Sequence, residues 1–249
     1  MISKILRRLL KGSGYVIVKS HDQFKYKSDP FLDQEYLMKG TNNLIIFDVG
    51  AHYGESVVKY LKHFKNSKIY SFEPFEDSFK ILNETVKNET NVETLNIALG
   101  NLVGFVDFHI NKSSATNSIL PTHKNGSITW SENLLDTLVN IKVPSSTIDD
   151  FVEKKGIDKI DILKLDTQGT EYLIIEGARE TIKKGRIRIV YMEIIILPTY
   201  QGQKYFDEIL LLMRVNGFKL FKMYDFSFNR FGELRQVDAV FISNDFKFS

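Results

Sequence analysis

The sequence predicts an α/β protein: one mostly parallel, seven-stranded sheet, doubly wound by helices, with an antiparallel last strand. Three observations carry that expectation. From Leu44 onward, short apolar runs alternate with longer amphipathic stretches. A turn with two glycines, in "DVGAHYGES" (48–56), joins the first run to the first of those stretches. The last two runs, "FKLFKMY" and "QVDAVFIS", have only a loop between them, which makes them antiparallel neighbours. Strands alternating with helices imply a mostly parallel sheet covered on both faces.

Taken in order, residues 1–19 hold five basic residues and no acidic one, with Ile2, Ile5, Leu6, Leu9 and Leu10 at helical spacing. This reads as an amphipathic basic helix. It could meet a membrane surface or a partner; we read it as docked on its own domain or on a second subunit, and a homodimer stays open. Residues 1–43 are an N-terminal extension and 44–249 one domain. A strand at 44–49 leads to a helix with Val57, Val58, Leu61 and Phe64 inward. "KIYSF" (68–72) is a strand, followed by a helix carrying Phe75, Phe79, Leu82 and Val86, and "VETLNIA" (92–98) is the third strand. "LGNLVGFVDFHI" (99–110) alternates around Gly100 and Gly104 and reads as an inserted β-hairpin. Residues 111–142 are polar and read as a long surface excursion. Ser146 or Thr147 caps the next helix; "IDILKLD" (160–166) is a strand, 170–184 a helix, "IRIVYMEI" (187–194) a strand and about 204–216 a helix.

Composition narrows the function classes. With 43% hydrophobic and 26% charged residues the chain is ordinary globular protein, not a disordered or fibrous one. A net charge of +2 argues against an extended nucleic-acid groove. The absence of cysteine removes disulfides, thiolate metal sites and cysteine nucleophiles. No run reaches the ~18 apolar residues of a spanning helix, so no stable membrane insertion and a cytoplasmic location are expected.

The turn after the first strand is the place where open parallel sheets bind ligands. It offers Gly50, Ala51, His52, Tyr53 and Gly54, without the G-x-G-x-x-G of a dinucleotide loop or the Gly-Lys-Ser/Thr ending of a P-loop. Asp48 would repel a phosphate and suit an ammonium. Glu73, in "YSFEP" at the end of the second strand, can reach a ribose diol. An amino group over the first strand and a ribose at the second describe S-adenosylmethionine.

In order and spacing, "FDVGAHYGES", "YSFEP", "LNIALGN", "STIDDF" and "ILKLDTQGTEYLIIEGA" resemble the FkbM-type methyltransferases over about residues 44–195. That resemblance implies a Rossmann-like class I fold and S-adenosylmethionine as cofactor. It implies that Asp48 and Gly50, with the rest of the loop through Ala51, His52 and Gly54, line the methionine part. It places Glu73 on the ribose, Ala98 and Leu99 beside the adenine, and Ser118, in "TNSIL", toward the cofactor. Many relatives carry Asn at His52 and Glu at Gln168. The second departure removes a carboxylate, and no metal is expected.

Methyl transfer needs an aligned nucleophile and, where required, a base. Asp166 ends the fourth strand, where base and cofactor should meet, and Glu193 ends the fifth beside it. Lys164 lies two residues before Asp166 on the same face. It either makes an ion pair with Asp166 or Glu193 or tunes the chemistry. His52 is either a base, its ordinary pKa near ~6.5 suiting neutral pH, or loop packing. Tyr200 and Lys204 have the Y-x-x-x-K spacing of short-chain dehydrogenases, which we read as coincidence because Pro198 and Gly202 oppose a helix there. "DTQG" in place of [DN]-P-P-[YFW], and the lack of cysteine, turn away from DNA and RNA acceptors. The expected acceptor is a small molecule, a sugar hydroxyl, including nucleotide-activated sugars and polysaccharide building blocks. The excursion with Asn117, His123, Asn125 and Trp130 would close over it. The other readings are a catalytically silent scaffold of the same fold and an NAD-dependent oxidoreductase.

Overall fold

The computed structural model describes residues 29–126, 130 and 133–247; the basic segment 1–19 lies outside them. In chain order the elements are α1 Pro30–Leu37, β1 Leu44–Val49, α2 Glu55–His63, β2 Ser67–Phe72, α3 Glu76–Thr85 and β3 Val92–Leu95. An inserted unit follows, with β4 Ala98–Leu99, β5 Gly104–Asn111 and β6 Thr137–Ser146. The chain then returns through α4 Ile148–Lys155, β7 Ile160–Leu165, α5 Glu171–Glu176, α6 Arg179–Lys183, β8 Ile187–Ile195, α7 Phe206–Val215, β9 Phe218–Phe228 and β10 Leu234–Ser243.

Seven strands form the main sheet in the order β3-β2-β1-β7-β8-β10-β9. β1 lies parallel to both β2 and β7, so the strand order reverses beside it. β10 runs antiparallel to β8 and β9, as the short final connection requires. Both faces are apolar because strand residues alternate sides. Phe47, Val49, Leu163, Leu165 and Val190 pack under α4, α5 and α7. Ile46, Ile69, Ile162 and Ile189 pack under α1, α2 and α3.

Local readings are corrected at four places. On α2, Tyr60 is buried and Val58 is exposed, because 57, 60, 61 and 64 share the inner face. The expected strand 92–98 breaks into β3 in the main sheet and β4 in a second, three-stranded sheet ordered β4-β6-β5. β5 accordingly pairs antiparallel with β6, not with residues 99–103, and part of the polar excursion is strand. The helix 170–184 is two helices. A Cβ on Gly177 would lie 2.0 Å from the Gly100 carbonyl oxygen, and the Asp149 carboxylate caps the new start at the amides of Glu180 (3.0 Å) and Thr181 (2.8 Å). Thr147 caps α4 through the Asp150 amide, as expected.

Candidate active site

The strand order reverses between β1 and β7, and the glycine turn sits over that point. Gly50 has φ +75°, and a Cβ on it would stand 1.9 Å from the Asp166 carbonyl oxygen, so only glycine lets the two loops touch. The amides of Gly50 and Ala51 both donate to the Phe72 carbonyl at 3.0 Å. The His52 amide donates to Glu73 Oε2 at 2.9 Å. These N–H groups are turned inward, unlike those of a pyrophosphate cradle, which removes the support for a nicotinamide dinucleotide. Gly54, at φ +95°, packs its Cα side against Leu82 and Thr85 as it opens α2.

A cleft of about 430 Å³ runs above the carboxyl ends of the strands. Over β1 to β3 its walls are Gly50, Ala51, Glu73, Ile97, Ala98 and Leu99. Glu73 is buried there and also accepts the Phe75 amide at 2.9 Å. Burial pushes its carboxyl up to about 7 against the pull of those two amides. Two residues expected at the ligand lie elsewhere. Asp48 is 0% exposed and holds Ser56 Oγ at 2.6 Å and the Lys164 ammonium at 3.1 Å, so the ammonium it meets belongs to the protein. The buried Ser118 donates its hydroxyl to the Gln168 carbonyl at 2.8 Å and braces the β7 turn.

The middle of the cleft holds Lys164, Asp166 and Glu193. Lys164 also lies 3.6 Å from Asp166, but the pairing with Asp48 was not visible as an alternative in the sequence. Burial pulls its ammonium down, yet Asp48 and Asp166 outweigh burial and leave it raised. A lysine held charged is no base; its part is electrostatic. Glu193 takes the Gln168 amide at 2.8 Å and the Gln236 amide at 2.6 Å. Burial, then the charge of Asp166, pushes its carboxyl well above the ordinary range, which disfavours its ionised form. Gln168, in left-handed conformation at φ +56°, spans the pair by also reaching Asp166 Oδ1 at 3.2 Å. The Tyr200 hydroxyl stands 3.0 Å from Gln168 Oε1. Tyr200 is thus a buried brace outside any helix, and Lys204 pairs with Glu208, apart from the cleft.

The inserted segment roofs the cleft. His52 Nε2 and the Tyr53 hydroxyl both meet Ser114 Oγ, at 2.9 and 3.0 Å, and the two rings stack at 3.6 Å. Burial lowers the imidazole pKa, against the opposing pull of Glu55 at 3.8 Å, which favours the neutral ring. Trp130 lines the cleft and stacks on Arg235 at 4.1 Å. Ser114, Tyr191, Asp225 and Asp238 were missed in the sequence. Each comes from a segment whose local pattern is that of an ordinary loop or strand.

An S-adenosyl group fits the β1–β3 end: a glycine-only floor, one buried carboxyl at the β2 end and an apolar wall at 97–99. The FkbM methyltransferase domain model matches residues 48–220. The chain is 26% identical over 165 residues to the 2-O-methyltransferase NoeI of Sinorhizobium fredii, a match covering 64% of this chain and 66% of that protein. Among solved structures, the magnesium protoporphyrin IX methyltransferase ChlM of Synechocystis PCC 6803 superposes with a TM-score of 0.46 at 13% identity, covering 96% of this chain and 91% of that one. The precorrin-6y C5,15-methyltransferase of Geobacter metallireducens does so at 0.46 and 8%, covering 85% and 86%. The chain belongs to the FkbM methyltransferase family and is an S-adenosylmethionine-dependent methyltransferase.

Proposed function

We propose that this methyltransferase acts on oxygen, at a hydroxyl of a sugar, with His52 as the proton acceptor. The observation that carries the reading is the His52 imidazole held at the cleft by Ser114 at 2.9 Å, its pKa lowered by burial, whereas the Lys164 ammonium is held by Asp48 and Asp166 and burial disfavours the ionised Glu193. Glu55 beside Nδ1 favours the proton on that nitrogen, which leaves the Nε2 lone pair facing the Ser114 hydroxyl. Asp166, 42% exposed at its side chain, is fixed by Gln168 and by Lys164 and orients the acceptor oxygen. Glu73 takes the ribose hydroxyls, with Ala98 and Leu99 along the base. The bound cofactor supplies an electrophilic methyl carbon. Alignment contributes about 7–11 kcal/mol and the base a further ~10²–10⁴-fold.

The 2-O-methyltransferase name of the relative supports oxygen as the nucleophile, and small-molecule acceptors are favoured over nucleic acid. Among the described residues no helix is long and apolar enough to cross a membrane. The test is to incubate the protein with S-adenosylmethionine and a panel of sugars, following S-adenosylhomocysteine and the methylated product by mass. O-methylated sugar, lost in His52→Ala with cofactor binding kept, supports the reading. Methylation confined to amines, or full activity in the variant, contradicts it.

A further inference from the structure

The sheet order sets two ends of the cleft apart, with β7 between them. The cofactor end lies over β1 to β3. The other end, over β8 to β10, is walled by Tyr191, Asp225 and Asp238, beside Glu193 of the middle. Its charge is lopsided. Two of those side chains, Asp225 and Asp238, are carboxyls, and Lys59, a cation lining the same cleft, lies 5.1 Å over the Phe31 ring. Lys164, at the boundary, is already neutralised by Asp48 and Asp166.

The carboxyls are also aimed. Asp238 pairs across the strands with Tyr224, and the next residue, Asp225, would by alternation face the opposite side of the sheet. Asp225 instead has φ +47° beside a register irregularity of β10, and it lines the same cleft as Asp238. The Tyr191 hydroxyl donates to Asp238 Oδ2, which holds that carboxyl in place. Such a wall offers acceptors to several hydroxyls at once and meets any phosphate with like charge in a partly dry space, where opposition is strongest.

We propose that the β8–β10 end is an acceptor subsite for an uncharged, polyhydroxylated ring, held by Asp225, Asp238 and Tyr191 and closed to phosphate esters. This rests on the sugar O-methylation reading and narrows it, away from nucleotide-activated sugars. The hydroxyl oxygen forms the new C–O bond, the S–C bond of the cofactor breaks, and the hydroxyl proton goes to His52. Where the sugar derives from a phosphorylated precursor, glycosyl transfer or phosphate-ester hydrolysis precedes this enzyme.

The test compares kcat/KM for methyl hexosides and methyl 6-deoxyhexosides with that for the matching hexose 1-phosphates and nucleoside-diphosphate hexoses. The full-length protein is used, with S-adenosylhomocysteine release as readout. The expected result is at least a tenfold preference for the neutral sugars, narrowed threefold or more in Asp225→Asn. Equal or better turnover of the phosphorylated sugars overturns the proposal. If neither class is methylated, the sugar reading fails by itself. The charge inference is then judged by titrating the S-adenosylhomocysteine-loaded protein with inorganic pyrophosphate. No saturation at millimolar concentration in the wild type, with binding gained in Asp225→Asn, supports an anion-excluding wall. Saturable wild-type binding overturns it.

Discussion

The two ends of the cleft are built in different ways. The β1–β3 end is backbone and short-range sequence: Gly50 against the Asp166 carbonyl, Glu73 against the His52 and Phe75 amides, and the 97–99 wall. The β8–β10 end is side chains gathered from Tyr191 to Asp238, with the Tyr191 hydroxyl holding Asp238. At Gly50 the β1–β3 end admits no added side-chain atom, whereas the β8–β10 end is lined by side chains that can be changed one at a time. That difference is open to test.

The largest effect is expected where the two ends join. Lys164→Met leaves Asp48 buried without its cation, and breaking such a pair costs about 3–5 kcal/mol. Thermal unfolding should fall by roughly 10 °C; an unchanged midpoint would remove Lys164 as the keystone between the ends. Next, His52→Ala should lower kcat by ~10²–10⁴ while S-adenosylhomocysteine binding stays within a few-fold. Loss of cofactor binding in equal measure would make His52 a packing residue of the cofactor end.

Glu73 gives a pH signature confined to one end. Its folded pKa is raised to about 7, so the carboxyl is neutral below that pH and ionised above it. An ionised carboxylate accepts the ribose hydroxyls more strongly, so cofactor affinity should rise as pH passes upward through about 7. Folding stability runs the other way. Between the unfolded value near 4.5 and about 7 the native state holds the extra proton, so Glu73 makes the fold less stable as pH rises across that window. In Glu73→Gln both dependences should flatten. Smallest of all, Tyr53→Phe removes one hydrogen bond to Ser114 and should cost about 0.5–1.5 kcal/mol of stability, with a modest rise in KM for the acceptor.

Much of the first end was legible in the sequence because its determinants are local. Apolar runs announce the strands, and Gly50 and Glu73 sit where two of those strands end. The same logic failed where long-range contact decides. Asp48 looked like a ligand group because its partner, Lys164, is 116 residues away and meets it only through β1–β7 pairing. The strand β6 hid in a polar stretch because its first four residues, 137–140, are exposed on both faces, with Leu138 at 67% and Val139 at 51%. Gly177 gave no warning of a helix break, since its reason is the Gly100 carbonyl on another element. Asp225 is unreadable without its φ, which reverses the face that strand alternation assigns.

The division of the cleft is tested most directly by calorimetric titration of S-adenosylhomocysteine into Glu73→Gln and Asp225→Asn beside the wild type. Affinity should fall about tenfold or more in Glu73→Gln, the loss of a hydrogen bond to a charged group, and stay within twofold in Asp225→Asn. Equal losses in both variants, or a loss confined to Asp225→Asn, would contradict a cofactor end over β1–β3 and an acceptor end over β8–β10.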